Sequence, residues 1–202
     1  MKLVIRGGSI ATGFGVALGY VDILRSRLAP AGIEVVNSSR HGDTSFDGVS
    51  SFDVDIEPHW PDILVIHFGI DDAFSSVYRS EFKENLVIMV RRARLRSDPF
   101  IVLPTSHVFD NPRDMDAVHI YYRTIREVAL DLACCLVPVH TAWAGVLADT
   151  GRANATLLQE DQRYPNEQGH AVYADILAGA IERLLGRGPM SVAPRKALSE
   201  TK

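Results

Sequence analysis

The sequence is poor in cysteine, in long apolar runs and in positive charge. Its only cysteines, Cys134 and Cys135, are neighbours. Adjacent cysteines rarely close a disulfide, because the bridge geometry is strained. They read as reduced, half-buried residues leading into a strand. No apolar run approaches the ~20 residues that cross a bilayer, so no membrane partner is expected. The formal net charge is −4, which argues against nucleic acid, since phosphate binding wants a basic face. An apolar strand begins almost at Met1 and leaves no space for the ~7–15 apolar residues of a secretory signal. The cytoplasm is therefore the expected location. The histidines are not grouped at metal-ligand spacing, so neither a metal nor another cofactor is expected.

What is present is an ordinary globular composition, 47% apolar and 23% charged over 202 residues. That length suits a single domain, placed at residues 1–187, with a mobile tail at 188–202 where periodicity is lost. The organising stretch is residues 2–15, KLVIRGGSIATGFG. A buried strand (Leu3, Val4, Ile5) reaches a glycine turn (Gly7, Gly8), then Ser9, then a helix. Such a turn exposes its residue at the carboxyl end of a sheet, where backbone N–H groups and a helix N-terminus favour negative charge.

In chain order, a helix is expected over 13–29, a strand over 33–37 and a polar loop over 38–45. A short capped helix carries Phe46, Val49, Phe52 and Ile56. The continuous apolar run 62–68, DILVIHF, reads as a strand covered on both faces. A helix over 81–96 capped by Ser80 follows, then a strand at 100–103 and a polar loop at 104–116. A helix over 117–133 and a strand at 136–139 lead to a short helix with Trp143. Residues 149–164 read as irregular, and a final helix runs from 166 to about 186. Arg91, Arg92, Arg94 and Arg96 read as cations at a helix C-terminus. Strands alternating with helices imply an α/β fold, a three-layer α/β/α sandwich on a five-stranded parallel sheet. Ligands of such sheets bind outside the carboxyl ends of the strands, where Ser9, Gly42, Asp71 and the 149–164 loop fall.

Four blocks in order resemble the SGNH (GDSL-like) hydrolase superfamily over residues 3–186. Gly7-Gly8-Ser9-Ile10 stands where that family has strand and Gly-Asp-Ser. Gly42 lies in the loop after the second strand. Gly69-Ile70-Asp71 matches Gly-x-Asn. Asp161-Gln162-Arg163-Tyr164-Pro165-Asn166, with Gly169-His170 behind it, matches Asp-x-x-His-Pro-Asn. The resemblance implies a flavodoxin-like SGNH fold, a nucleophilic Ser9 and Asp161 orienting a base. It also implies an oxyanion site from the N–H groups of Ser9 and Gly42.

The same alignment shows three departures. Tyr164 replaces the family histidine, and a phenol titrating near 10 is ionised in only about one molecule in a thousand at neutral pH. Asp71 replaces the oxyanion asparagine; losing such a donor costs about 3–4 kcal/mol, and its charge opposes the developing oxyanion. Gly8 replaces the aspartate before the serine, a position that supports the turn, so the change is expected mainly to loosen the site. His41, beside Gly42, is the candidate surrogate base. His67 and His170 read as structural. Two readings follow. One keeps the fold with non-hydrolytic or altered chemistry on a small polar ligand held by Ser9, Asp71, Asp161 and Tyr164. The other is a weak esterase or acyl hydrolase of small esters with Ser9 as nucleophile. A purely structural or oligomerisation role is a third. The sequence carries no indication of oligomeric state.

Overall fold

Strand β1 (Lys2–Gly7) lies inside the sheet, buried from Leu3 to Gly7. In the computed structural model, which describes residues 1–75 and 77–186, it pairs in parallel with β2 (Glu34–Asn37) and β3 (Ile63–His67). β4 (Phe100–Pro104) and β5 (Cys135–Val137) continue the sheet in the order β2-β1-β3-β4-β5. Between the strands run α1 (Ser9–Thr12), α2 (Tyr20–Leu28), α3 (Ser45–Ser50), α4 (Phe52–Asp55), α5 (Ile70–Phe74), α6 (Arg79–Arg96), α7 (Pro112–Asp131), α8 (Val139–Thr150) and α9 (Glu167–Gly186).

Alternation along the strands divides the apolar side chains between two cores. Leu3, Ile5, Ile63 and Val65 face α2, α8 and α9, through Leu24, Trp143 and Leu177. Val4, Leu64 and Ile66 face α4, α6 and α7, through Phe52, Leu86 and Val128. Helices on both faces of a parallel sheet give the expected three-layer sandwich. Leu64 is fully buried, so Leu64→Ala would cost about 2–5 kcal/mol. Among the described residues no helix is long and apolar enough to cross a membrane.

Several element boundaries differ from expectation. Residues 13–19 are not helical: Gly13 and Gly15 take left-handed φ of 74° and 78°, which stops α1 after four residues, and α2 restarts at Tyr20. The short helix expected around 46–56 is two pieces, α3 and α4, broken at Ser51. α6 starts at Arg79 behind Tyr78 rather than behind Ser80. α7 starts at Pro112, because the Asn111 side chain caps it by accepting from the Arg113 N–H at 2.9 Å; proline at a first helical position loses nothing. β5 ends at Val137 and α8 takes over from Val139. α9 begins at Glu167, which puts His170 in its first turn. Cys134 and Cys135 are free thiols. The expected tail, 188–202, lies outside the described residues.

Strand order reverses between β1 and β3, the switch point where parallel sheets open a crevice. α1 leaves β1 there and α5 leaves β3, which sets Ser9 beside Asp71.

Candidate active site

Ser9 is the first residue of α1 and has no exposed surface. Its hydroxyl donates to Asp71 Oδ1 at 2.5 Å, and its backbone N–H donates to Asp71 Oδ2 at 2.8 Å. The Gly42 N–H donates to Ser9 Oγ at 3.0 Å. Ser9 Oγ therefore gives its proton to a carboxylate while receiving one from a backbone amide. The Tyr164 phenol also meets Ser9. Burial and the Asp71 charge raise its pKa, and the Ser9 hydrogen bond offsets this only partly. The phenol therefore keeps its proton at neutral pH.

Asp71 sits in the first turn of α5. Burial raises its carboxyl above the ordinary carboxylate range, against the two hydrogen bonds from Ser9 and the attraction of His41, and Asp43 adds to the rise. Its position explains Gly8. A Cβ built on Gly8 would lie 2.1 Å from Asp71 Oδ2 and 2.5 Å from the Asp43 carbonyl oxygen. Gly8 thus makes room for Asp71. An aspartate at position 8 could not share this space.

The loop carrying Gly42 is anchored from below. Gly42 adopts φ 79°, a left-handed conformation that favours glycine. The Arg6 side chain, fully buried in β1, reaches Asp43 Oδ2 at 2.5 Å, Ser51 Oγ at 3.0 Å and Asp55 Oδ2 at 3.3 Å. Arg40 forks onto both Asp55 oxygens at 2.5 and 2.6 Å. Two arginines and two aspartates so hold the loop on either side of Gly42. Asp72, also buried, accepts the N–H groups of Gly69 at 2.9 Å and Ser45 at 2.8 Å, which ties α5 to α3. Burial pushes its carboxyl up to about 6. Sequence reading passed over Arg6, Arg40, Asp43, Asp55 and Asp72 as site-supporting residues. An arginine inside an apolar strand was the available signal.

The remaining expected residues fall as follows. The exposed Asp161 accepts the backbone N–H groups of Arg163 at 3.0 Å and Tyr164 at 3.4 Å, so its carboxylate shapes the turn that delivers Tyr164. No hydrogen bond among the described residues joins it to the phenol. His41 lies flat on Phe14, ring centroids 3.8 Å apart, and Phe14 meets Tyr164 edge-on at 5.2 Å. His41 makes no hydrogen bond to Ser9 among the described residues.

His67 and His170 are buried as expected. The Tyr20 hydroxyl contacts His67 Nδ1 at 2.8 Å, and the Tyr20 N–H donates to His170 Nδ1 at 3.2 Å. His107, which has no motif context in the sequence, joins the same buried group through Tyr173 at 3.1 Å. Burial holds all three neutral, with pKa lowered to about 3 for His67 and His107 and about 4 for His170. Among the described residues no group of His, Cys, Asp and Glu could hold a metal ion. A cleft of about 540 Å³ lined by His119, Tyr122, Arg123 and His140 shares no residue with the Ser9 group.

Comparison with known proteins agrees with the fold. The family model described as GDSL-like Lipase/Acylhydrolase matches residues 6–172. Esterase TesA of Pseudomonas aeruginosa is 29% identical over 144 residues, covering 67% of this chain and 69% of that protein. The acetylxylan esterase Axe2 of Geobacillus stearothermophilus superposes with TM-score 0.79 at 23% identity, over 89% of this chain and 93% of the other. LAE5, an alpha/beta hydrolase from the metagenome of Lake Arreo, Spain, gives TM-score 0.78 at 24% identity, over 91% and 95%. At those identities the two structures speak for the fold.

Proposed function

The chain belongs to the GDSL-like lipase/acylhydrolase family, and on that premise we propose that it is an esterase-type hydrolase of small esters with Ser9 as nucleophile. The observation that carries this reading is the Ser9 hydroxyl set between Asp71 Oδ1 and the Gly42 N–H. A nucleophile needs a group to receive its proton and a donor near the oxygen that becomes negative. Both stand within hydrogen-bond reach of Ser9 Oγ, beside which the acyl oxygen would take up its charge. A relative named an esterase, TesA, aligns over most of its length.

In this reading Gly42 N–H is an oxyanion donor, and Tyr164, protonated, is a second donor to the oxyanion or the leaving oxygen. Asp161 holds the turn that carries Tyr164. His41 and Phe14 form the aromatic wall beside it. Ser9 has no exposed surface, so a substrate reaches it only as neighbouring side chains move aside, which favours a small acyl group. A second reading has an observation of its own. The Ser9 N–H is occupied by a carboxylate, as suits a site that binds a polar ligand without hydrolysing it.

Turnover of p-nitrophenyl acetate and butyrate, measured beside Ser9→Ala, separates the two. Hydrolysis that falls at least about 100-fold in Ser9→Ala supports the esterase. Equal background rates in both proteins support the ligand-binding site.

A further inference from the structure

Resting on the esterase reading, we infer that Asp71 is the general base of this site, so that the chain has moved the proton-accepting role from the family histidine to the carboxylate that replaced the oxyanion asparagine. By sequence alone Asp71 is a lost donor. Its geometry is different: one oxygen receives the Ser9 hydroxyl proton at 2.5 Å and the other receives the Ser9 N–H at 2.8 Å. No histidine reaches Ser9 by hydrogen bond among the described residues. The absence of a Cβ at Gly8 is what lets the carboxylate lie there, 2.1 Å from where that atom would sit. The upward pull of burial on the Asp71 carboxyl strengthens it as a base for an alcohol.

The chemistry balances without another group. Ser9 Oγ gives its proton to Asp71 Oδ1 and its lone pair to the acyl carbon, and the carbonyl π pair moves to oxygen. Asp71 becomes neutral as the oxyanion forms, so the charge conflict expected from an aspartate here is removed in the step where it would matter. When the tetrahedral species collapses, the bond to the alcohol oxygen breaks and that oxygen takes the proton from Asp71. In deacylation water gives a proton to Asp71 and attacks the acyl carbon. Ser9 Oγ leaves and recovers the proton. The sum is ester plus water giving acid plus alcohol.

The test is Asp71→Asn, which restores the family residue with nearly unchanged shape. With p-nitrophenyl acetate, kcat/KM is expected to fall at least about 100-fold, the scale of a positioned general base, and the acid limb of the pH–rate profile to vanish. Asp71→Gly, given formate to occupy the vacated space, is expected to regain turnover in proportion to formate, an effect a structural role would not produce. Ser9-dependent activity that is unchanged or higher in Asp71→Asn, or no formate rescue, overturns Asp71 as base and leaves the esterase reading standing. A parent protein with no Ser9-dependent turnover overturns both.

Discussion

Gly8 faces the Asp71 carboxylate so closely that a methyl group on Gly8 would overlap Oδ2. The two positions therefore form one unit. Gly8→Ala is expected to cost about 1–3 kcal/mol, the usual range for overpacking, and to lower ester turnover by displacing Asp71. In an Asp71→Gly background the part of that cost owed to Oδ2 should disappear while the contact with the Asp43 carbonyl remains, giving a coupling of about 0.5–3 kcal/mol in a double-mutant cycle. Urea unfolding of the four proteins measures it. Additive costs would show that Gly8 and Asp71 do not share the space.

Arg6 is a charged residue with no exposed surface, bound to Asp43 and Asp55. Removing one partner of a buried ion cluster leaves uncompensated charge, at about 3–5 kcal/mol. Arg6→Met should lose stability on that scale in urea unfolding. It should also slow turnover, because the Gly42 loop loses its anchor. An Arg6→Met protein of parental stability would remove Arg6 from this role.

The buried histidines set the acid limit of the fold. His67 and His107, at about 3, and His170, at about 4, lie below the ordinary 6.5. As pH falls below 6.5 the unfolded chain takes up protons first, so the folded state loses stability down to about pH 3–4. Asp72, raised to about 6, works in the opposite sense. It adds stability as pH falls through 6 towards the ordinary carboxylate value. Three histidines displaced downward outweigh two carboxyls displaced upward, Asp72 and Asp71. The net loss is on the order of several kcal/mol by about pH 4, at ~1.36 kcal/mol per tenfold change in proton affinity. Urea unfolding at about pH 7 and about pH 4.5 is expected to show the drop, and equal stability at both would contradict it.

Restoring the family histidine is expected to disappoint. Asp161 Oδ1 accepts the backbone N–H groups of Arg163 and Tyr164, and Asp71 already accepts the Ser9 hydroxyl proton, so a Tyr164→His ring would compete with Asp71 for that proton. The gain in kcat/KM should fall well short of the about 10²–10⁴-fold that a positioned base supplies. A gain of that size would mean that the site still carries a conventional triad with one member missing.

The frame of this site was legible in the sequence because it is local. A buried strand, two glycines and a serine fix the end of β1, and the apolar run 62–68 fixes β3 and brings Asp71 to the same edge. The break at 13–19 was missed because apolar spacing continues across Gly13 and Gly15, whose left-handed φ is a backbone property. The early start of α7 was signalled by Asn111-Pro112, a cap followed by a first-turn proline, but the surrounding polar residues read as loop. Contacts between distant residues were not legible. Nothing near Arg6 in sequence points to Asp43 or Asp55, and nothing near Asp71 says that it faces Gly8 and not an incoming carbonyl.

Nucleophilicity of Ser9 can be read directly. The protein is treated with an alkyl fluorophosphonate, which phosphonylates an activated serine, and the modified peptide is mapped by mass spectrometry. One adduct on Ser9, absent in Ser9→Ala and strongly slowed in Asp71→Asn, is the expected result. A Ser9 that stays unmodified, or that reacts as fast with asparagine at position 71, would contradict it.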